Sequence, residues 1–143
     1  MNNHKDKNQE VTILLDGNVL IALIFPEHTH HKISKSWFAK NCTFFATCPV
    51  TQGTLLRYVL RSEKNQSWNR SLDVLSVFTE HPKHKFWSDK LSYSNIKDSK
   101  VFGHRQVTDL YLLELAKEYN GKLATLDVGI SDFYRSDDVI LIK

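Results

Sequence analysis

The strongest constraint on this chain's fold is its alternation of short apolar runs with longer stretches of helical period. Residues 11–15, 44–47, 122–126 and 139–142 are brief, apolar and partly β-branched, as buried strands are. Between them the pattern predicts helices over 18–24, 29–40, about 49–61, 68–79 and 105–119. Thr29 is the expected N-cap of the second, with Ile33, Trp37 and Phe38 on one face. Asn120-Gly121 is a normal stop for the last. The 81–104 segment reads as irregular, with room for a short strand near 85–87. Strands that alternate with helices pair in parallel through crossovers. The expected fold class is therefore α/β: a single domain with a central parallel sheet covered by helices on both faces.

Length and composition narrow the function classes. The 143 residues suffice for one domain with a real core, and no repeat or linker divides them. The longest apolar run, residues 19–25, is too short to cross a bilayer, so no membrane association is expected. Residues 1–10 are polar throughout and read as a flexible tail rather than a secretory leader, which leaves the folded domain to 11–143. Cys42 and Cys48 form neither a CxxC motif nor a disulfide framework, which points to reduced thiols and a cytoplasmic protein. Net charge is only +3, but its distribution is uneven. From His81 to Arg105 six Lys or Arg oppose two acids, and Trp68, Phe86, Trp87 and Tyr93 lie in or near such basic stretches. That mixture suits single-stranded RNA, and it equally suits a solvated face with its aromatics turned inward.

Three aspartates stand out by position. Asp16 ends the first strand and Asp127 ends the strand that begins at Lys122, so parallel pairing brings both to one end of the sheet. Asp109 falls in the first turn of the long helix. At about 100° per residue it points with Leu112, Leu113 and Ala116, away from Glu114, Lys117 and Glu118. Each has an ordinary alternative role: Asp16 and Asp127 as turn or cap residues, Asp109 as a capping-box acid. Clustered carboxylates repel unless protonated or bound to a cation, and an all-oxygen donor set selects Mg²⁺ or Mn²⁺ over zinc.

The segments "LLDGNVLIAL", "TCPVTQGTLLRYVL" and "HRQVTDLYLLELAKEYNGKLATLD" resemble, in order and spacing, the PIN-domain ribonucleases, and more narrowly the VapC toxins of bacterial type II toxin–antitoxin systems. The resemblance covers about residues 11–142. It implies a Mg²⁺-dependent endoribonuclease, with Mn²⁺ as a substitute, acting on an RNA substrate, bound by a cognate antitoxin protein and assembled as a homodimer. It matches Asp16, Asp109 and Asp127 to the family's catalytic, metal-binding acids. Asn18, Gln52 and Thr125 are then expected to position waters or carboxylate oxygens, and His104 and Arg105 to contact RNA. The chain departs from the pattern at Gln52, where the family usually has Glu. An amide carbonyl there can ligate a cation but brings no negative charge. The alternative reading is a PIN domain with weakened catalysis that acts as an RNA- or protein-binding module.

Other signals carry less. His28, His30 and His31 have no third ligand at metal spacing and read as solvated or helix-start residues. No Gly-rich phosphate loop and no Ser or Cys nucleophile motif is present.

Overall fold

The computed structural model describes residues 10–62, 67–97, 103–134 and 137–143. The tail expected over 1–10 lies, but for Glu10, outside them. The elements run β1 (Thr12–Leu15), α1 (Gly17–Ile24), α2 (His31–Asn41), β2 (Phe44–Thr47), α3 (Pro49–Ser62), α4 (Trp68–Thr79), β3 (His84–Phe86), α5 (Val107–Glu118), β4 (Lys122–Thr125), α6 (Val128–Phe133) and β5 (Val139–Leu141). Short 3₁₀ turns at Tyr93–Asn95 and His104–Gln106 precede α5. The five strands form one sheet in the order β3-β2-β1-β4-β5, and every neighbouring pair is parallel.

Side-chain alternation along the central strands builds two cores, one on each face of the sheet. Ile13, Leu15, Phe45 and Ala124 face a layer that includes Val19, Leu20, Leu55, Val59, Leu75 and Phe78, contributed by α1, α3 and α4. Leu14, Ala46 and Leu123 face the other way, onto Leu112, Leu115 and Ala116 of α5. The helices thus cover both faces, as the pattern requires.

Several local expectations are corrected. Thr29 does not cap α2, which begins two residues later behind His30, whose side chain makes no capping bond. Histidines shape that entry instead: His28 Nδ1 accepts from the His30 N–H (3.1 Å), and His31 Nδ1 lies 2.7 Å from the Ala22 carbonyl oxygen. The short strand in the 81–104 segment forms one residue earlier than expected, and α6 occupies a stretch that reads as a turn. Trp87 is buried, its ring parallel to that of Tyr119 at 4.6 Å, with Lys90 Nζ 4.1 Å from the Tyr119 ring centre. Trp68, Phe86 and Tyr93 remain exposed. The basic stretches therefore combine one inward anchor with three outward aromatics. Cys42 is half-buried, and burial pushes its thiol up to about 12, which keeps it protonated and unreactive.

The end of α5 is a Schellman turn. Asn120 takes the left-handed conformation (φ 55°), its N–H donates to Lys117 O (3.0 Å), and the Gly121 N–H donates to Ala116 O (2.8 Å). Gly121 is needed for a different reason: a Cβ there would run into the Thr12 carbonyl oxygen and the Trp87 ring. Gly121→Ala should therefore cost about 1–3 kcal/mol in denaturant unfolding, the usual range for overpacking. Asn120→Gly should change stability by well under about 1 kcal/mol, because glycine adopts the left-handed conformation freely.

Candidate active site

The carboxyl end of the sheet collects the predicted acids. Parallel pairing of β1 with β4 sets Leu15 beside Ala124, and the ladder runs one step further as the Asp16 N–H donates to Ala124 O (3.1 Å). The chain then turns at once into α1, with Asp16 O accepting from the N–H groups of Val19 and Leu20. Gly17 permits that turn, since a Cβ would overlap the Thr54 side chain of α3. Asp16 occupies the N-cap position of α1, yet its side chain makes no capping bond. Its Oδ2 accepts instead from Thr125 Oγ1 at 3.3 Å. Burial raises the Asp16 pKa most; the Gly17 N–H and the Thr125 hydroxyl lower it, and the charge of Asp127 raises it again.

Thr125 ties the two strand tips together. It is fully buried, and while its hydroxyl donates to Asp16, its oxygen accepts from the Asp127 N–H (3.0 Å). Asp127 is exposed and makes the cap that its ordinary reading expects: Oδ1 accepts from the Gly129 N–H at 2.8 Å, starting α6.

Asp109 behaves otherwise. As a capping-box acid it would bind the Gln106 N–H, but that group donates to Gly103 O (3.2 Å). Among the described residues no hydrogen bond to the Asp109 carboxylate is found. Burial, then Asp16, then Asp127 push its pKa up to about 6. Three carboxylates from β1, α5 and the end of β4 thus repel across a shared end of the sheet.

Asp109 and Asp127 line a cleft of about 200 Å³ with Arg105, Ile130 and Tyr134. Arg105 and His104 are both exposed on the 3₁₀ turn that leads into α5. Asn18 is exposed in the first turn of α1, on the same end of the sheet. Gln52 sits half-buried in the first turn of α3, its Nε2 donating to Thr47 Oγ1 at 3.0 Å. Tyr134 was not anticipated. It lines the cleft with Asp109 and Asp127, and burial, then Asp109 and Glu114, raise its pKa. A lone tyrosine beyond the last acid carries no spacing signal that would have marked it.

Among the described residues, no three His, Cys, Asp or Glu side chains form a ready-made metal cage. Mg²⁺ needs none, because it keeps several waters and takes one or two protein carboxylates. The donor set fits such an ion: hard oxygens only, with the Asp109 carboxylate held uncompensated against two neighbours of like charge.

The likeness to known proteins is extensive. The PIN domain profile matches residues 13–136. The chain is 46% identical over 132 residues to Ribonuclease VapC29 of Mycobacterium tuberculosis, covering 92% of this chain and 97% of that protein. It is 35% identical over 130 residues to Ribonuclease VapC39 of the same organism, covering 85% and 93%. Among solved structures it resembles Mycobacterium tuberculosis VapC20, described as a Sarcin-Ricin loop cleaving toxin, with a TM-score of 0.62 at 10% identity, covering 92% of this chain and 99% of that one. Rickettsia felis VapBC2, bound to a DNA fragment from its promoter, gives a TM-score of 0.53 at 17% identity, covering 91% and 96%. At those identities the two structures speak for the fold alone, whereas the profile and the relatives speak for descent: the chain belongs to the PIN-domain family, in its VapC ribonuclease branch.

Proposed function

We propose that this protein is a Mg²⁺-dependent endoribonuclease, the toxin of a toxin–antitoxin pair, which hydrolyses RNA phosphodiester bonds at Asp16, Asp109 and Asp127. The observation that carries the reading is Asp109: an acid on the inner face of a helix, turned toward two more acids, with no cap to make. Such a placement destabilises the metal-free chain and makes sense where a cation is to be held.

Asp16 and Asp109 would hold the ion, with Asp127 at its outer side; Mn²⁺ would substitute. When bound, a divalent cation supplies charge neutralisation at the scissile phosphate and acidifies water at the site. The chain's own residues supply position. Thr125 fixes the rotation of the Asp16 carboxyl group and at the same time anchors the backbone of Asp127. Arg105, on the cleft wall, can place a guanidinium against an RNA phosphate, and His104 stands next to it for the neighbouring one. The exposed aromatics Phe86 and Tyr93 offer surfaces on which unpaired bases can stack.

The partners follow from the relatives. A cognate antitoxin would bind this protein as the VapBC2 assembly pairs toxin with antitoxin. A homodimer belongs to the same reading, and the apolar helices near 29–40 and 51–60, where Trp37, Leu56 and Leu60 stay half-buried, offer it a surface. No helix among the described residues is long and apolar enough to cross a membrane. Incubation with a panel of structured RNAs in Mg²⁺ tests the reading directly: metal-dependent cleavage is expected, and binding without cleavage would favour the weakened-PIN alternative.

The folded pKa of Asp109 lies above its unfolded value near 3.8, so the folded chain binds more protons between about pH 4 and pH 6. Metal-free protein should accordingly lose stability as pH rises through that window, by well under the roughly 3 kcal/mol that the full shift would give, because solvent screens the half-exposed carboxylate. Asp16, whose pKa is raised as well, adds a slope of the same sign, so Asp109→Asn should reduce the slope in EDTA without abolishing it and leave the apo protein at least as stable at pH 7. A helix-dipole role alone would have the substitution cost about 0.3–1 kcal/mol.

The same variant should abolish RNA cleavage while still binding antitoxin. Millimolar Mg²⁺ or Mn²⁺ should raise the melting temperature of the wild type and not of Asp109→Asn, as ligand linkage requires. A destabilised yet active Asp109→Asn would return this residue to helix capping.

A further inference from the structure

Two hydrogen bonds meet on one buried hydroxyl at the carboxyl end of β2. Gln52 Nε2 donates to Thr47 Oγ1 at 3.0 Å, and His84 Nε2 lies 2.7 Å from the same oxygen. Thr47 is fully buried, so no solvent intervenes, and a hydroxyl has a single proton to give. With Oγ1 accepting from Gln52, giving that proton to His84 Nε2 uses both groups fully, whereas accepting from both would leave the proton unused by either. This order requires a neutral imidazole protonated at Nδ1. Burial, and next the charge of His81, lower the His84 pKa and favour that neutral ring.

The reverse order is also self-consistent. A His84 Nε2–H would donate to Thr47, Thr47 would donate to Gln52, and the amide would have to turn over so that its Oε1 meets the hydroxyl. The two orders differ in what the amide shows on its far side: a carbonyl oxygen in the first, an NH₂ group in the second. That difference matters because of where Gln52 stands. It lies in the first turn of α3, directly off the carboxyl end of β2, and β2 pairs with β1, whose carboxyl end carries Asp16. A carbonyl oxygen there attracts a cation or a water proton; an NH₂ group repels the first and donates to the second.

We infer that Thr47 and His84 are positioning residues whose two hydrogen bonds hold the Gln52 amide with its carbonyl oxygen presented to the carboxyl end of the sheet, beside Asp16. Gln52 then contributes an oriented neutral oxygen to the cation site. Removing the hydroxyl frees the amide to rotate. Removing the imidazole takes away the group that fixes the direction of the Thr47 proton, so the hydroxyl can donate to Gln52 Oε1 and the amide no longer has one orientation. The inference rests on the proposed reading of this end of the sheet as a cation site.

Mn²⁺ binding to the full-length, metal-free protein, read by the electron-spin signal of the free ion, tests it. Thr47→Val should weaken Mn²⁺ affinity by about 10-fold, at the lower end of what loss of a ligand's hydrogen-bond partner does, and Thr47→Ser should stay within about two-fold of wild type. His84→Ala should weaken it at least as much as Thr47→Val. The decisive measurement is the cycle with Gln52→Ala: in that background neither Thr47→Val nor His84→Ala should weaken binding further, because both act through the amide. Wild-type affinity in Thr47→Val, or an undiminished loss in the Gln52→Ala background, would overturn the inference. If Thr47→Val fails to fold by its thermal melt, His84→Ala, on an edge strand with a partly exposed ring, carries the same cycle. Asp109→Asn separates the two levels of the argument. Mn²⁺ binding that survives Asp109→Asn removes the cation site itself, whereas binding lost there but indifferent to Thr47 and His84 removes only the positioning role.

Discussion

The arrangement of this molecule depends on the parallel pairing of β1 with β4 through the middle of the sheet. β1 is buried on both faces, so it can be little else than apolar, and its first polar side chain must wait until the strand has ended. The register that sets Leu15 beside Ala124 brings the two strand tips level, and the Thr125 hydroxyl then spans the gap between Asp16 and the backbone of Asp127. Once that edge is level, α5 packs across one face and carries Asp109 up to it. The acids meet because the apolar side chains beneath them permit only one alignment.

This explains what in the site was legible from the residues alone. A strand reveals itself by its apolar run, so an acid at its tip is visible, as with Asp16 and Asp127. A helix reveals its buried face by its period, so an acid on that face is visible, as with Asp109. Both signals are local. Thr125 is legible only as the last inward residue of β4, and its link to Asp16 crosses 109 positions of sequence. The triad of Gln52, Thr47 and His84 joins three elements, and Tyr134 arrives from the stretch after α6; neither has a repeat or spacing to announce it. Thr29 misled for a related reason. The histidines next to it bind backbone groups of the same turn, and that competition decides where α2 starts.

The acids also show how unequal three similar side chains become in place. Asp127 is exposed and spends its charge on a helix start. Asp16 is half-buried but supported by a hydroxyl and a backbone N–H. Asp109 has burial without support, and its acidity shifts accordingly. One sequence letter thus stands for a cap, a held carboxylate and an unsatisfied one, and environment alone distinguishes them. The basic 81–97 stretch divides in the same manner: Trp87 is spent on anchoring the turn around Gly121, while Phe86 and Tyr93 stay available at the surface.

The length of the bond from Thr125 to Asp16 has a bearing on biosynthesis. A ribosome adds about 5–20 residues per second, so the 109 positions between donor and acceptor correspond to roughly 5–20 s of elongation. Throughout that interval β1 can pair with β2, but its other edge stays open and neither α5 nor β4 exists to bring in the remaining acids. A nascent or prematurely terminated chain that stops short of α5 holds one aspartate of the three. The hazardous chemistry proposed for this fold is therefore withheld from incomplete copies by topology, and it comes into being only as about the last quarter of the polypeptide docks against the first strand.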